Sequence, residues 1–295
     1  MTEIIVGAIV TGILLGGLYT VVALGLNLIF GIVRVINFAH GSIFMIFLYL
    51  GFFLWRLLGV DPYLSMIIVV PAAFGFGYAV QYVLIRPMFI KEKAYVVEPL
   101  GVLLLMCGFD MILANGASWG FGARIWYVYG SALTGSVHWG FLTLSKQRLI
   151  VVLVAVLLTL AVYWLLGHTD LGNRIRAVAQ NREAAALCGI NVHHTYAIAF
   201  GLGCAVTALG GCSVLPFQAI TPHMGMGLAI KAFVIVVLGG LGSVPGALLG
   251  GIIIGVVESV ASQLVNASVA SIIVAVLFLI IMFSRPKGLM GLIEV

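Results

Sequence analysis

The sequence predicts an all-α integral membrane protein: a polytopic helical bundle of about eight to nine membrane helices with broken or re-entrant segments. Three observations carry this. Of 295 residues, 63% are hydrophobic and 8% charged, with a mean hydropathy of +1.25, far from the roughly 25% charge of soluble domains. Apolar runs of about twenty residues, long enough to cross a hydrocarbon core, recur from end to end. Those runs lack the alternation of barrel strands, and backbone polar groups in hydrocarbon must be paired within the segment, so helices are the spanning form.

The first run, 4–28, follows Met1, Thr2 and Glu3 directly. It has neither the basic leader nor the small-residue cleavage site of a signal peptide and is read as a retained membrane helix. Runs at 41–58, 62–84, 96–115, 149–167, 195–215, 227–239, 246–262 and 268–284 follow. Residues 1–295 read as a single transmembrane domain, because no stretch is polar enough to fold apart from the membrane. Any ATPase, kinase or nucleic-acid module therefore belongs to another chain. Run 227–239 would span only about 20 Å at the helical rise, so it is either a short crossing or half of a re-entrant pair.

If every run crosses, Arg34, Arg86, Lys91, Lys93, Arg174, Arg176, Arg182, Arg285 and Lys287 fall on one side, and Arg56, Arg124, Lys146 and Arg148 on the other. The richer side is cytoplasmic by the positive-inside rule, with the N-terminus outside and the C-terminus inside. This distribution accounts for the net charge of +5 without a nucleic-acid partner. Two connections are long. The outer loop, 116–148, carries Trp119, Trp126, Tyr127, Tyr129 and Trp139 and reads as an aromatic interfacial cap. The inner one, 168–194, is the most polar stretch outside the runs. Its segment 174–188 mixes Ala177, Ala179, Ala184, Ala185, Ala186 and Leu187 with Arg174, Arg176, Arg182 and Glu183, a helix-favouring composition that Gly189 would end.

Glycine is the main irregularity, 37 residues concentrated at 12–17, 201–211 and 239–255. Gly12 and Gly16, Gly246 and Gly250, and Gly251 and Gly255 have the four-residue spacing that lets helix backbones approach. Within 238–251, Gly239, Gly240, Gly242 and Pro245 interrupt an apolar run, and Ser243 is placed to cap the helix that follows. A comparable polar break holds Asn37, Phe38, His40, Gly41 and Ser42. Each break is either a packing device or surface connection, or the border of a substrate path, since irregular backbone at depth needs a protein or water neighbour. Asp110, Lys231 and Glu258 are ionisable residues inside apolar runs; Lys231 and Glu258 either pair or line the path. Cys107, Cys188, Cys204 and Cys212 show no metal-binding or redox spacing and read as reduced packing residues. No catalytic constellation and no phosphate loop is present, so neither a catalytic residue nor a metal ligand is expected.

These residues resemble a known family. NLIFGIVRVINFAHGSIFMI (27–46), LGNRIRAVAQNREAAALCGINVHHTYAIAF (171–200), GLAIKAFVIVVLGGLGSVPGALLGGIIIGVVES (227–259) and RPKGLMG near the end are similar, in order, to segments of bacterial ABC-transporter permeases for branched-chain amino acids, of the LivH type. The resemblance implies a permease subunit of the inner membrane with no cofactor of its own. Its partners would be a second, LivM-like permease, two cytoplasmic ATPases of the LivG and LivF kind that hold ATP and Mg, a periplasmic binding protein and membrane lipid. It implies import of aliphatic amino acids, while sister systems take urea, short amides or aromatic acids. Glu183, Ala184, Ala185 and Gly189 match the E-A-A-x-x-x-G spacing of importer coupling segments. Arg174, Arg176, Arg182 and Leu187 would complete an ATPase-docking surface. The alternative for 174–188 is a basic helix lying on anionic lipid. Asn37, Phe38, His40, Gly41, Ser42, Lys231, Gly239, Gly240, Gly242, Ser243 and Glu258 are the candidates for the translocation path. A self-sufficient secondary transporter or channel for a small solute is the alternative at the level of function.

Overall fold

A computed structural model describes residues 2–33, 37–91, 98–122, 124–129, 131, 133, 135–139 and 142–291. Helix α1 is Thr2–Val33 and α2 is His40–Leu58. Helix α3 (Met66–Val80) continues through a π-helical turn, Gln81–Ile85, into α4 (Arg86–Lys91), and α5 is Glu98–Phe121. Strands β1 (Ser136–Trp139) and β2 (Leu142–Ser145) precede α6 (Lys146–His168), α7 (Asp170–Gln180) and α8 (Arg182–Leu187). The chain ends with α9 (Val192–Val214), α10 (Met224–Gly239), α11 (Val244–Leu264) and α12 (Ala267–Ser284). Eight helices are long and apolar enough to cross a membrane, and α10 is a shorter apolar one.

The architecture is therefore the expected helical bundle, with three local differences. The outer loop is shorter than 116–148, because α5 runs on to Phe121 and α6 begins at Lys146. What remains holds a small antiparallel hairpin, Ser136 opposite Ser145 through Trp139 opposite Leu142. Trp126 anchors this side: its backbone bridges to Ile220, its ring packs on Phe52, and the Arg56 guanidinium lies over it. The expected helix at 62–84 starts only at Met66, since Asp61 ties the preceding turn through bonds from the Tyr63 and Ser65 amides. The expected helix at 174–188 is two helices, α7 and α8, divided at Asn181.

Helices α1 and α11 form the tightest pair. They run antiparallel, with Gly12 beside Val256, Gly16 beside Ile252 and Asn27 beside Gly242. Helix α12 returns after the two-residue turn Val265–Asn266, capped by Asn266 Oδ1 on the Val269 amide. The start of α1 and the C-terminal tail consequently lie at opposite ends of the bundle. The end of α1, the α10–α11 corner, α7, α8 and the tail share one end. That end carries Arg86, Lys91, Arg174, Arg176, Arg182, Arg285 and Lys287; Arg34 and Lys93 lie outside the described residues. The other carries Arg56, Arg124, Lys146 and Arg148. Helices α1, α2 and α9 make the buried centre, while α5, α6 and α12 present mostly exposed surface.

Candidate functional site

Helix α2 does not begin at the end of the bundle where α1 stops. The His40 ring at its first position donates from Nε2 to the Val22 carbonyl at 2.9 Å, because a carbonyl can only accept. The same nitrogen lies 3.3 Å from Thr207 Oγ1, whose proton goes to the Gly203 carbonyl at 2.8 Å. Val22 precedes the last residue of α1 by eleven positions, roughly 16 Å along a helix. The polar break at Asn37 to Ser42 therefore lies at depth, not at a surface connection. Asn37, His40 and Ser42 are all buried. Gly41 permits this start, since its Cα hydrogen faces the Gly225 carbonyl where a Cβ would collide, and a Cβ on Gly225 would meet the Ser42 nitrogen at 2.7 Å.

The second break is a closed corner between α10 and α11. Gly240 and Gly242 take positive φ of 108° and 82°, a conformation that only glycine adopts at little cost. Ser243 caps α11 as expected, accepting from the Gly246 amide at 3.2 Å. Asn27 of α1 accepts from the Gly242 amide at 2.9 Å, and the tail supplies the Leu289 and Met290 amides to the Leu238 and Gly239 carbonyls. The backbone groups freed by this break are thus satisfied by protein, and Gly239 and Gly240 are buried. Asn27 and the tail amides escaped the sequence reading. A lone asparagine inside an apolar run was the only signal available for the first.

Between the breaks, Lys231 of α10 and Glu258 of α11 pair at 2.6 Å, with side chains 34% and 16% exposed. Tyr19 of α1 completes the cluster, its hydroxyl donating to Glu258 Oε2 at 2.9 Å and accepting from Lys231 Nζ at 2.6 Å. The two charges and the Tyr19 hydroxyl clamp α1, α10 and α11 together. Removing one partner strands the other at depth, so Lys231→Met is expected to destabilise the protein by about 1–2 kcal/mol. That figure is discounted from the ~3–5 kcal/mol of a fully buried pair because Lys231 is one-third exposed. The double variant K231M/E258M should recover most of the loss in detergent thermal unfolding; a double variant less stable than K231M would refute the pairing account.

Asp110 meets a different environment. It is the middle of α5, half-buried, and accepts a hydrogen bond from Ser42 Oγ at 2.5 Å. Two turns further along α5, Ser118 Oγ lies 3.3 Å from His223 Nε2, just ahead of α10. Helix α2 packs against both α5 and α10, and Ser42, 1% exposed, touches both.

The inner segment folds by capping. Thr169 Oγ1 accepts from the Gly172 amide at 3.0 Å and starts α7. Asn181 has an extended backbone, and its Oδ1 accepts from the Glu183 and Ala184 amides at 3.0 Å each, which ends α7 and starts α8. Gly189, at φ 82°, closes α8 with the paired bonds Ile190 to Ala185 and Gly189 to Ala186 that define a Schellman ending. Arg176 is tied back to the Leu166 carbonyl and to Asn173, so it latches α7 onto α6. Ala185 is 4% exposed and packs into the protein's own core rather than toward a partner. Leu187, by contrast, is 90% exposed beside the exposed Glu183, Ala184, Ala186 and Gly189, with Arg174 exposed on α7 and Arg182 half-buried. Among the described residues no group of three or more His, Cys, Asp or Glu is arranged to hold a metal ion, and the four cysteines are free.

A family profile described as "Branched-chain amino acid transport system / permease component" matches residues 8–282. The chain is 29% identical over 300 residues to a high-affinity branched-chain amino acid transport system permease protein, LivH, of Salmonella typhimurium, covering 96% of this chain and 94% of the relative. It is 27% identical over 297 residues to the corresponding permease protein BraD of Pseudomonas aeruginosa, covering 97% and 96%. It is 31% identical over 296 residues to a probable branched-chain amino acid transport permease protein LivH of Methanocaldococcus jannaschii, covering 95% and 90%. No solved structure matches the chain.

Proposed function

The chain belongs to the family of branched-chain amino acid transport permease components, and from that premise we propose that it is the membrane-spanning subunit of an ABC importer for aliphatic amino acids or related small polar solutes. It is a multi-pass membrane protein and a permease, not an enzyme. The family match over residues 8–282 carries this reading, together with the exposed α7–α8 surface at the basic end of the bundle. Within it, that end faces the cytoplasm, the N-terminus lies outside, and the protein resides in the inner membrane. The partners are a LivM-like permease, two ATPases of the LivG and LivF kind holding ATP and Mg, and a periplasmic binding protein.

Two surfaces divide the work. Glu183, Ala184, Ala186 and Leu187 dock in an ATPase groove, and Ala185 with the Gly189 ending holds that short helix rigidly on the bundle. The substrate path follows the seam where α2, α5 and α10 meet, so Ser42 stands at it, with Asn37, Phe38, His40 and Gly41 shaping the start of α2 behind. Lys231 and Glu258 brace α10 beside the path, while Gly239, Gly240, Gly242 and Ser243 form its inner corner. A self-contained carrier is disfavoured because Glu258 is neutralised in place, leaving one deep acid for ion coupling.

The test is reconstitution. The isolated chain is expected neither to bind nor to hydrolyse ATP, as its sequence holds no phosphate-cradling loop. With both permeases, both ATPases and the loaded binding protein in liposomes, leucine uptake should require ATP. Uptake by the chain alone, driven by an ion gradient, would replace this reading with the carrier.

A further inference from the structure

The two acids deep in the bundle are treated differently by the fold, and the difference points to a ligand. Glu258 is fully engaged by Lys231 and Tyr19. Asp110 stands at the centre of the span Leu100–Phe121, so it is as far from either membrane surface as that helix allows. Among the described residues no cationic group lies within ion-pair distance of it, and its hydrogen-bond partner is the neutral Ser42 hydroxyl at 2.5 Å. An intramembrane carboxylate left without a cation is costly. It is also half-buried, not sealed.

The surroundings narrow the chemistry. Ser42 fixes the carboxylate against α2 and simultaneously abuts Gly225 at the start of α10. On the packed side of α5, Phe109 and Leu113, the latter one turn from Asp110, are half-buried apolar side chains. A carboxylate held by one neutral donor, with half-buried apolar side chains about it on its own helix, suits a small cation carrying an apolar side chain. We propose that Asp110 is the subsite that receives the α-ammonium group of a zwitterionic aliphatic amino acid as it passes through the seam between α5 and α10, with Ser42 orienting the carboxylate. This rests on the importer reading and adds a residue and a recognition chemistry to it. The contact is transient: the ammonium exchanges water for Asp110 and leaves again, so the path conducts without trapping its cargo.

The experiment uses the full complex in liposomes, with ATP inside and leucine-loaded binding protein outside. Asp110→Asn keeps the shape and an acceptor for Ser42 but removes the charge, and it should lower leucine uptake at least about tenfold, the loss expected for one charge-assisted hydrogen bond. Asp110→Glu, which restores the charge, should recover much of the rate. The second readout is the amount of partner permease that co-purifies with D110N, expected to equal that of the wild type. Wild-type uptake in D110N overturns the proposal. So does loss of the partner permease in D110N, which would assign Asp110 to a lysine or arginine of that subunit instead. If the wild-type complex imports no amino acid, the importer reading itself fails, an outcome distinct from either.

Discussion

Replacing Leu187 with aspartate is expected to reduce ATP-driven uptake by the assembled complex to background while leaving the chain folded and inserted. The side chain is 90% exposed at the end of α8 and touches little of its own subunit, so its loss should change the stability of the isolated chain by less than ~0.5 kcal/mol. In an ATPase groove the same side chain would be an apolar anchor, and a buried unpaired carboxylate in its place costs several kcal/mol of binding. Leu187→Met should transport normally. Ala185→Trp acts by another route: at 4% exposure it has no room, so α8 must leave its seat and uptake falls together with local stability. Co-purification of ATPase with each variant separates the two. Full uptake by L187D with the ATPase bound would remove α8 from the coupling surface, and a loss seen only as weaker attachment to anionic vesicles would favour the lipid-lying helix.

That prediction depends on a feature the sequence carried only in part. Apolar runs are legible because membrane insertion is read from composition, and every expected run holds a helix, although α1 and α5 run on past 28 and 115 to Val33 and Phe121. Helix ends were less legible where side chains compete with the backbone. Asn181 sits in an alanine-rich stretch that favours one continuous helix, yet its carboxamide offers two amides a better partner than solvent, and the stretch divides there. Ala185 faces in and Leu187, two positions on, faces out. The same limit applies at His40: a short polar connection reads alike at the surface or at depth, and only the bond to Val22 places it. The role of the tail was invisible for a simpler reason, since Leu289 and Met290 act through backbone amides that every residue possesses. Charged residues fared better. Lys231 and Glu258 were legible as a pair because an isolated charge in an apolar run needs a partner, and Tyr19 was missed because tyrosine is ordinary there.

Gly255→Leu should be the most damaging single change in the bundle, lowering stability by about 3 kcal/mol or more. Helices α1 and α11 meet backbone to backbone: a Cβ at Gly12 would fall 2.5 Å from the Val256 Cα, one at Gly16 would fall 2.7 Å from the Ile252 Cα, and one at Gly255 would fall 2.5 Å from the Gly12 carbonyl oxygen. Main-chain atoms cannot rotate away, so the helices must separate. In a bilayer lipid tails are as apolar as the helix surface, and close packing supplies the attraction between helices, so separation forfeits most of it. It would also stretch the bond from Ser259 Oγ to the Ala8 carbonyl, now 2.8 Å, and pull Glu258 from Tyr19. Gly75→Leu is the matched control, in an exposed stretch of α3 with nothing within 4 Å of the added Cβ, and should be neutral or slightly stabilising. Thermal unfolding in detergent compares the two; equal melting temperatures would mean that the α1–α11 contact does not hold the bundle together. If G255L does unfold the bundle, K231M should add little further loss, because the cluster it breaks has already been separated.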